Sequence, residues 1–316
     1  MTITYLESIV VEALQGVSEL FPVSSLGHSI LLPAWIGGQS GKDLDMADKD
    51  SPYLALLVAM HVATAIALVV FFWRDWLRIL RGLWDVVRTR QIRTPEARLG
   101  VLLGLATIPV GVAGLVLEKA VRNYLGTSIP ISVFLAINGF VLLSAELLRN
   151  REEKREPILT PTGQTADLAM QDTVVLPITD PDPRLGRAAL AAQRHRRATH
   201  RIRPGRSAFP GISRSGSTIV AGLFKGMKHE DAARFAFLLA TPVILAAGAL
   251  KTPELFKPAN HDILGPALAG SLVAGVLAYL SVRFLVKYFE TKTLTPFAIY
   301  CLVVGIGSAA FFTLHR

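Results

Sequence analysis

Residues 294–314 read LTPFAIYCLVVGIGSAAFFTL, 21 positions without a single charge. A helix of that length reaches roughly 31 Å, about the thickness of a bilayer's hydrocarbon core. The pattern recurs upstream. Residues 52–73 carry no charge and hold His61 as their only titratable group, residues 99–117, 125–145 and 263–282 are equally apolar, and 235–250 is shorter but as clean. Buried helices of a soluble protein are apolar all round too, but six of this length in one chain argue for lipid. A hydrophobic content of 51% and a mean hydropathy of +0.44 agree. The sequence therefore predicts an all-α, polytopic membrane protein with six transmembrane helices.

A net charge of +9 raises the question of nucleic acid, and the placement of the charge answers it. Arg74, Arg78, Arg81, Arg88, Arg90, Arg93 and Arg98 fall between the first and second spans, and Arg149, Arg151, Lys154 and Arg155 follow the third. Lys225, Lys228 and Arg234 precede the fourth, and Arg283, Lys287 and Lys292 separate the fifth from the sixth. Asp43, Asp45, Asp48 and Asp50 stand before the first. The positive-inside rule makes the basic connections cytoplasmic, and all six spans then alternate with both termini outside. No nucleic acid is needed to explain the charge. The N-terminus lacks a basic leader and carries Glu7, Glu12 and Glu19, so it does not read as a cleaved signal. Cys301, the only cysteine, excludes an intrachain disulfide.

Three spans follow Phe21-Pro22-Val23-Ser24-Ser25-Leu26-Gly27-His28-Ser29, and three more follow Phe209-Pro210-Gly211-Ile212-Ser213-Arg214-Ser215-Gly216-Ser217. Aligned on Phe-Pro, Ser25 matches Ser213 and Ser29 matches Ser217. The first block starts outside and the second inside, which predicts an inverted-topology repeat with a site near the midplane. A first repeat would occupy 1–149 and a second 208–316. Each motif sits between apolar arms too short to cross, with a helix-breaking Pro beside Ser and Gly. Residues 2–37 are thus expected to form a re-entrant helical hairpin entering from outside, with its counterpart entering from the cytoplasm. Residues 150–207 read as a polar, basic, disordered cytoplasmic insertion.

Glu12, Gln15 and Glu19 share one helical stripe, and carboxylates in an apolar segment mark a cavity or a partner. Ser24, Ser25 and His28 can supply a nucleophile and a base, or phosphate contacts. Ser213, Arg214, Ser215, Gly216, Ser217 and Thr218 combine hydroxyls, flexible backbone and a guanidinium, a composition suited to an oxyanion at a helix N-terminus. Together these parts fit phosphoryl transfer from a lipid-anchored phosphate ester.

The stretches 12–28 and 209–218 resemble the motifs of the bacterial undecaprenyl-diphosphate phosphatases of the bacitracin-resistance type. The first is similar to that family's acidic motif running into Pro-Val-Ser-Ser-x-Gly-His, the second to its Pro-Gly-x-Ser-Arg-Ser-Gly. The resemblance implies a bacterial plasma-membrane hydrolase with its site open to the outside. Such an enzyme removes the terminal phosphate of a polyprenyl diphosphate to give the monophosphate carrier of cell-wall synthesis. It implies a divalent cation, Mg2+ or Ca2+, with Glu19 as its ligand, and it admits a homodimer. It also implies catalytic roles for Glu19, Ser25, His28 and Arg214, with either Ser25 or His28 as nucleophile. Gln15, Ser24, Gly27, Ser213, Ser215, Gly216 and Thr218 would line the substrate. Two departures stand out: Leu26 replaces a frequent Thr, and residues 193–206 are polar and basic where an apolar arm is expected. A polyprenyl-phosphate translocase and a catalytically impaired homologue are the competing expectations.

Overall fold

The computed structural model describes residues 3–38, 44, 52–120, 127–155 and 212–315, and every regular element among them is helical. The chain forms α1 (Tyr5–Ser18), α2 (Ser25–Ile36), α3 (Pro52–Phe71), α4 (Trp73–Thr89), α5 (Pro95–Ala120) and α6 (Ser128–Arg155). There follow α7 (Arg214–Leu223), α8 (His229–Leu255), a 3-10 turn (Pro258–Ile263), α9 (Leu264–Tyr288) and α10 (Thr295–Leu314). Five helices, α5, α6, α8, α9 and α10, are long and apolar enough to cross a membrane. A sixth crossing results if the bent pair α3–α4 counts as one. The insertion expected at 150–207, its basic stretch 193–206 and the acidic run before α3 lie outside the described residues, apart from the last turns of α6.

The termini of the elements follow from local chemistry. Thr4 and Glu7 form a reciprocal capping box that starts α1. The helix stops at Ser18, ahead of Pro22, and the Val23 N–H turns back to the Phe21 carbonyl at 2.8 Å. Ser24 takes a left-handed conformation with φ 70°, a strained value for a residue with a side chain, and then caps α2.

Packing pairs the helices in a definite pattern. The closest partnerships are α6 with α10, α1 with α9, α9 with α3 and α8 with α3. Gly16 of α1 lies so near α9 that a Cβ there would strike the Ala274 backbone, the close approach small residues give to helices in lipid. Tyr5 touches Gly265 at the start of α9, while Trp35 of α2 donates to Ser308 and stacks on Phe311 near the end of α10. The start of α9 and the end of α10 lie at the same end of the bundle, because the short turn 289–294 joins their other ends. Both outer ends of the α1–α2 pair therefore sit at the end opposite that turn.

Residues 74–98 connect the first apolar helix to the next, and part of that connection is itself helical: α3 stops at Phe71 and the chain bends by 82° into a separate helix, α4. The reason lies in α4 itself. Four arginines and two aspartates interrupt its apolar residues, so it is amphipathic and does not prolong an all-apolar span.

Candidate active site

The two sequence breaks meet in the structure. Asn138, buried in the middle of α6, donates to the Pro22 carbonyl at 3.0 Å and accepts the Ser213 N–H at 3.1 Å. One amide side chain thus ties the break before α2 to the break before α7. Across the same junction, the Ser215 hydroxyl donates to the Glu19 carbonyl at 3.2 Å. Backbone freed from a helix at membrane depth needs such internal partners.

Both following helices begin alike. Ser24 accepts the Gly27 N–H at 3.3 Å, and Ser213 accepts the Gly216 N–H at 3.0 Å. The caps pair Ser24 with Ser213, one position away from the match expected on Phe-Pro. A single residue separates Pro22 from its cap, whereas two separate Pro210 from its own. In this register Ser25 and Arg214 are equivalent first residues, each at a helix N-terminus where partial positive charge favours an anion. Gly216 is packed tightly: a Cβ would lie 3.1 Å from Ser213, 3.2 Å from Leu142 and 3.3 Å from Pro22.

Glu19 is the hub. Its Oε1 accepts from Arg214 Nη2 at 2.7 Å, and its Oε2 accepts from Gln15 Nε2 at 2.8 Å. The Ser25 hydroxyl also donates to Oε2 in a short contact. The carboxylate is 8% exposed, so its pairing with Arg214 operates with little screening by water. Gln15 is fixed from its other side by the Ser29 hydroxyl at 3.1 Å. Arg214 keeps unused capacity, since its side chain is 22% exposed and Nη2 is the nitrogen committed to Glu19. A guanidinium held by one nitrogen with another donor idle can grip an oxyanion without leaving its carboxylate.

His61 of α3 joins the cluster, with its Nε2 3.4 Å from Gln15 Nε2 and 3.6 Å from Glu19 Oε2. Its Nδ1 donates to the Leu57 carbonyl at 2.5 Å. His28 is disposed differently. Its Nδ1 donates to the Ser24 carbonyl at 2.7 Å, and its Nε2 meets the Tyr300 hydroxyl at 2.8 Å beneath a stacked ring. Thr218 donates to the Arg214 carbonyl on its own helix at 3.0 Å, and Ser217 to Ser213 at 2.9 Å.

The structure thus gathers Gln15, Glu19, Ser25, Ser215 and Arg214 in one hydrogen-bonded group, while His28 and Thr218 bond elsewhere. His61, Asn138 and Tyr300 were missed by sequence reasoning. His61 had a signal, being the one titratable group of an uncharged span. Asn138 is a single amide in an apolar run, and Tyr300 looks like any membrane aromatic.

The site sets a serine hydroxyl and an arginine on the two oxygens of one buried carboxylate. A metal cage is not built from protein groups alone: no cluster of three His, Cys, Asp or Glu occurs among the described residues.

Comparisons with known proteins bear on the family. A family model described as bacitracin resistance protein BacA matches residues 8–175 and 205–307. An undecaprenyl-diphosphatase of Mycolicibacterium paratuberculosis is 51% identical over 317 residues, covering 99% of each chain. Undecaprenyl-diphosphatase 2 of Frankia alni is 46% identical over 96% of each chain, and that of Chromobacterium violaceum 36% identical over 97% of this chain and 98% of its own. The first of these alignments runs nearly the full length of both proteins, so the linker between the halves has a counterpart there of about the same size. On the match of both motifs and almost the whole chain, this protein belongs to the bacitracin resistance protein BacA family.

Proposed function

We infer that this protein is an undecaprenyl-diphosphate phosphatase, a membrane hydrolase that releases the terminal phosphate of a polyprenyl diphosphate and leaves the monophosphate. Full-length similarity to undecaprenyl-diphosphatases supports the substrate. The observation that carries the chemistry is the hydrogen bond from the Ser25 hydroxyl to Glu19 Oε2. It joins a nucleophile to a base, and Arg214 holds the base from the other oxygen.

Ser25 Oγ attacks the terminal phosphorus as the bond to the bridging oxygen breaks, and the prenyl monophosphate leaves with that electron pair. The serine proton passes to Glu19. Water then attacks the phosphoserine, both water protons end on inorganic phosphate, and Glu19 returns its proton to Ser25. Arg214, through the guanidinium donors that Glu19 does not hold, and the α2 and α7 N-termini stabilise charge on the phosphoryl oxygens. Of the two nucleophile candidates the geometry favours Ser25, because the His28 Nε2 is engaged by Tyr300.

A divalent cation fits as a companion of the substrate. Mg2+ is commonly held by one or two carboxylates plus substrate phosphates, and Glu19 would supply the one carboxylate. Bound there, it would polarise the phosphoryl oxygens.

The finer architecture follows the same reading: six spans with two re-entrant hairpins in inverted repeat. Three observations support it. The outer ends of α1 and α2 sit at one end of the bundle, the mates α3 with α8 and α6 with α10 pack together, and His61 lies halfway along α3. The site would then lie near the midplane, reached from the side away from the basic turns, which face the cytoplasm of a bacterial plasma membrane.

The test is phosphate release from undecaprenyl diphosphate by purified protein with and without Mg2+ or Ca2+. Ser25→Ala is expected to lose at least about 10³-fold in kcat, with no 32P-phosphoserine trapped at early times. Near-normal turnover in Ser25→Ala would remove serine as nucleophile.

A further inference from the structure

Helix α4 has no part in the site, yet its surface is highly organised. Trp73, Leu77, Leu80, Trp84 and Val87 recur at alternating spacings of four and three, and all five are exposed, from 42% to 73%. Those spacings align them on one stripe along the helix. The opposite face is committed to the protein. Asp75, Ile79 and Gly82 are buried there, and a Cβ on Gly82 would lie 2.7 Å from the Ala97 nitrogen of α5. Asp75 receives Arg234 of α8 at 2.7 Å and Arg78 at 3.1 Å, which locks the rotation of α4.

Between these faces runs a third feature. Arg74, Arg81 and Arg88 are exposed and spaced seven apart, so they form a row on one flank, each about 10 Å from the next. Asp85 is the one acidic group on that flank, and Arg74 also rests on the Trp73 ring at 5.2 Å. The 82° bend from α3 decides how this surface meets its surroundings. If α3 crosses the bilayer, α4 lies close to the membrane plane.

We propose that α4 is an in-plane membrane anchor that selects anionic phospholipids, its tryptophan-bearing stripe seated among acyl chains and its arginine row on the phosphates. A lipid interface is the partner that offers apolar chains and negative charge side by side at a fixed depth. The basic flank excludes an uncharged apolar partner as sufficient, since three arginines would remain unmatched. The rotation fixed by Asp75 means the anchor is rigid with α8, the helix that packs on α7. This proposal is independent of the phosphatase reading.

The test uses full-length protein in phosphatidylcholine vesicles with either brominated phosphatidylcholine or brominated phosphatidylglycerol. The Trp84 signal is taken as the difference between wild type and Trp84→Phe. Both lipids are expected to quench it, the anionic one at lower mole fraction, by about fivefold for each arginine engaged. The triple variant Arg74→Gln, Arg81→Gln, Arg88→Gln should keep the quenching and lose the preference. Raising ionic strength should erase the preference in wild type as well, which serves if the triple variant does not fold. No quenching by either lipid would show the stripe covered by protein, such as a second copy, and would overturn the proposal. Equal quenching by both lipids, or a preference that survives both salt and the triple variant, would overturn the anionic selectivity.

Discussion

Glu12 and Glu19 stand seven residues apart on the same stripe of α1, both buried, and the fold treats them in opposite ways. Glu19, at the C-terminal end of the helix, has Arg214, Gln15 and the Ser25 hydroxyl around it and His61 behind. Glu12 sits against α9, where the Ser8 hydroxyl donates to Oε1 at 3.2 Å and Oε2 is left without a good partner. Among the described residues no basic side chain pairs with it. A Cβ on Gly270 would come within 2.7 Å of its carboxyl, so the group is wedged against a neighbouring backbone with no room for a ligand. Burial of a carboxylate in an apolar segment therefore identifies a function only when donors and a nucleophile converge on it.

The sharpest way to break this comparison is Glu19→Gln. The amide keeps the shape but cannot take the Ser25 proton, and it leaves Arg214 without its ion pair. Phosphate release should fall by about 10²–10⁴-fold. Activity near wild type would leave Glu19 no more important than its neighbour two turns away.

Much of this contrast was legible beforehand. The apolar spans, the pairing of the two Pro-Ser motifs and the presence of Glu12, Gln15 and Glu19 on one face all follow from periodicity, which is a local property. What periodicity does not carry is the partner across the bundle. Nothing in the sequence around Glu12 says that Gly270 will crowd it, and nothing around Asn138 says that it will join Pro22 to Ser213. The turn of α4 was missed for a related reason. A run rich in arginine looks like a plain connection until its apolar residues are counted at helical spacing.

A smaller effect separates Glu19 from His28, which resemblance to the family ranks alongside it. The imidazole is held between the Ser24 carbonyl and the Tyr300 hydroxyl, while Ser25 donates to Glu19. With Glu19 as base, His28→Asn should cost no more than about tenfold in kcat, the value of one lost hydrogen bond. Tyr300→Phe, which frees Nε2 and keeps the stacked ring, should cost less still. Steady-state kinetics on both variants checks the order. A His28 variant as damaged as Glu19→Gln would bring the imidazole into proton transfer and place Tyr300 as its positioning residue.

The smallest effect is expected at Glu12. Glutamine there keeps the volume and can still accept from Ser8, and its amide can donate where a carboxylate oxygen has no partner. Glu12→Gln should leave kcat within about twofold and hold or raise the thermal midpoint. The two carboxylates are about 10 Å apart along the helix and share no hydrogen-bond partner, so their neighbourhoods should act independently. Combining Glu12→Gln with Arg214→Lys, which disturbs the Glu19 neighbourhood without abolishing its charge pairing, should therefore give additive losses to within about twofold. A strong departure from additivity would mean that the wedge of Glu12 against α9 sets the height of α1, and with it the reach of Glu19 to Ser25.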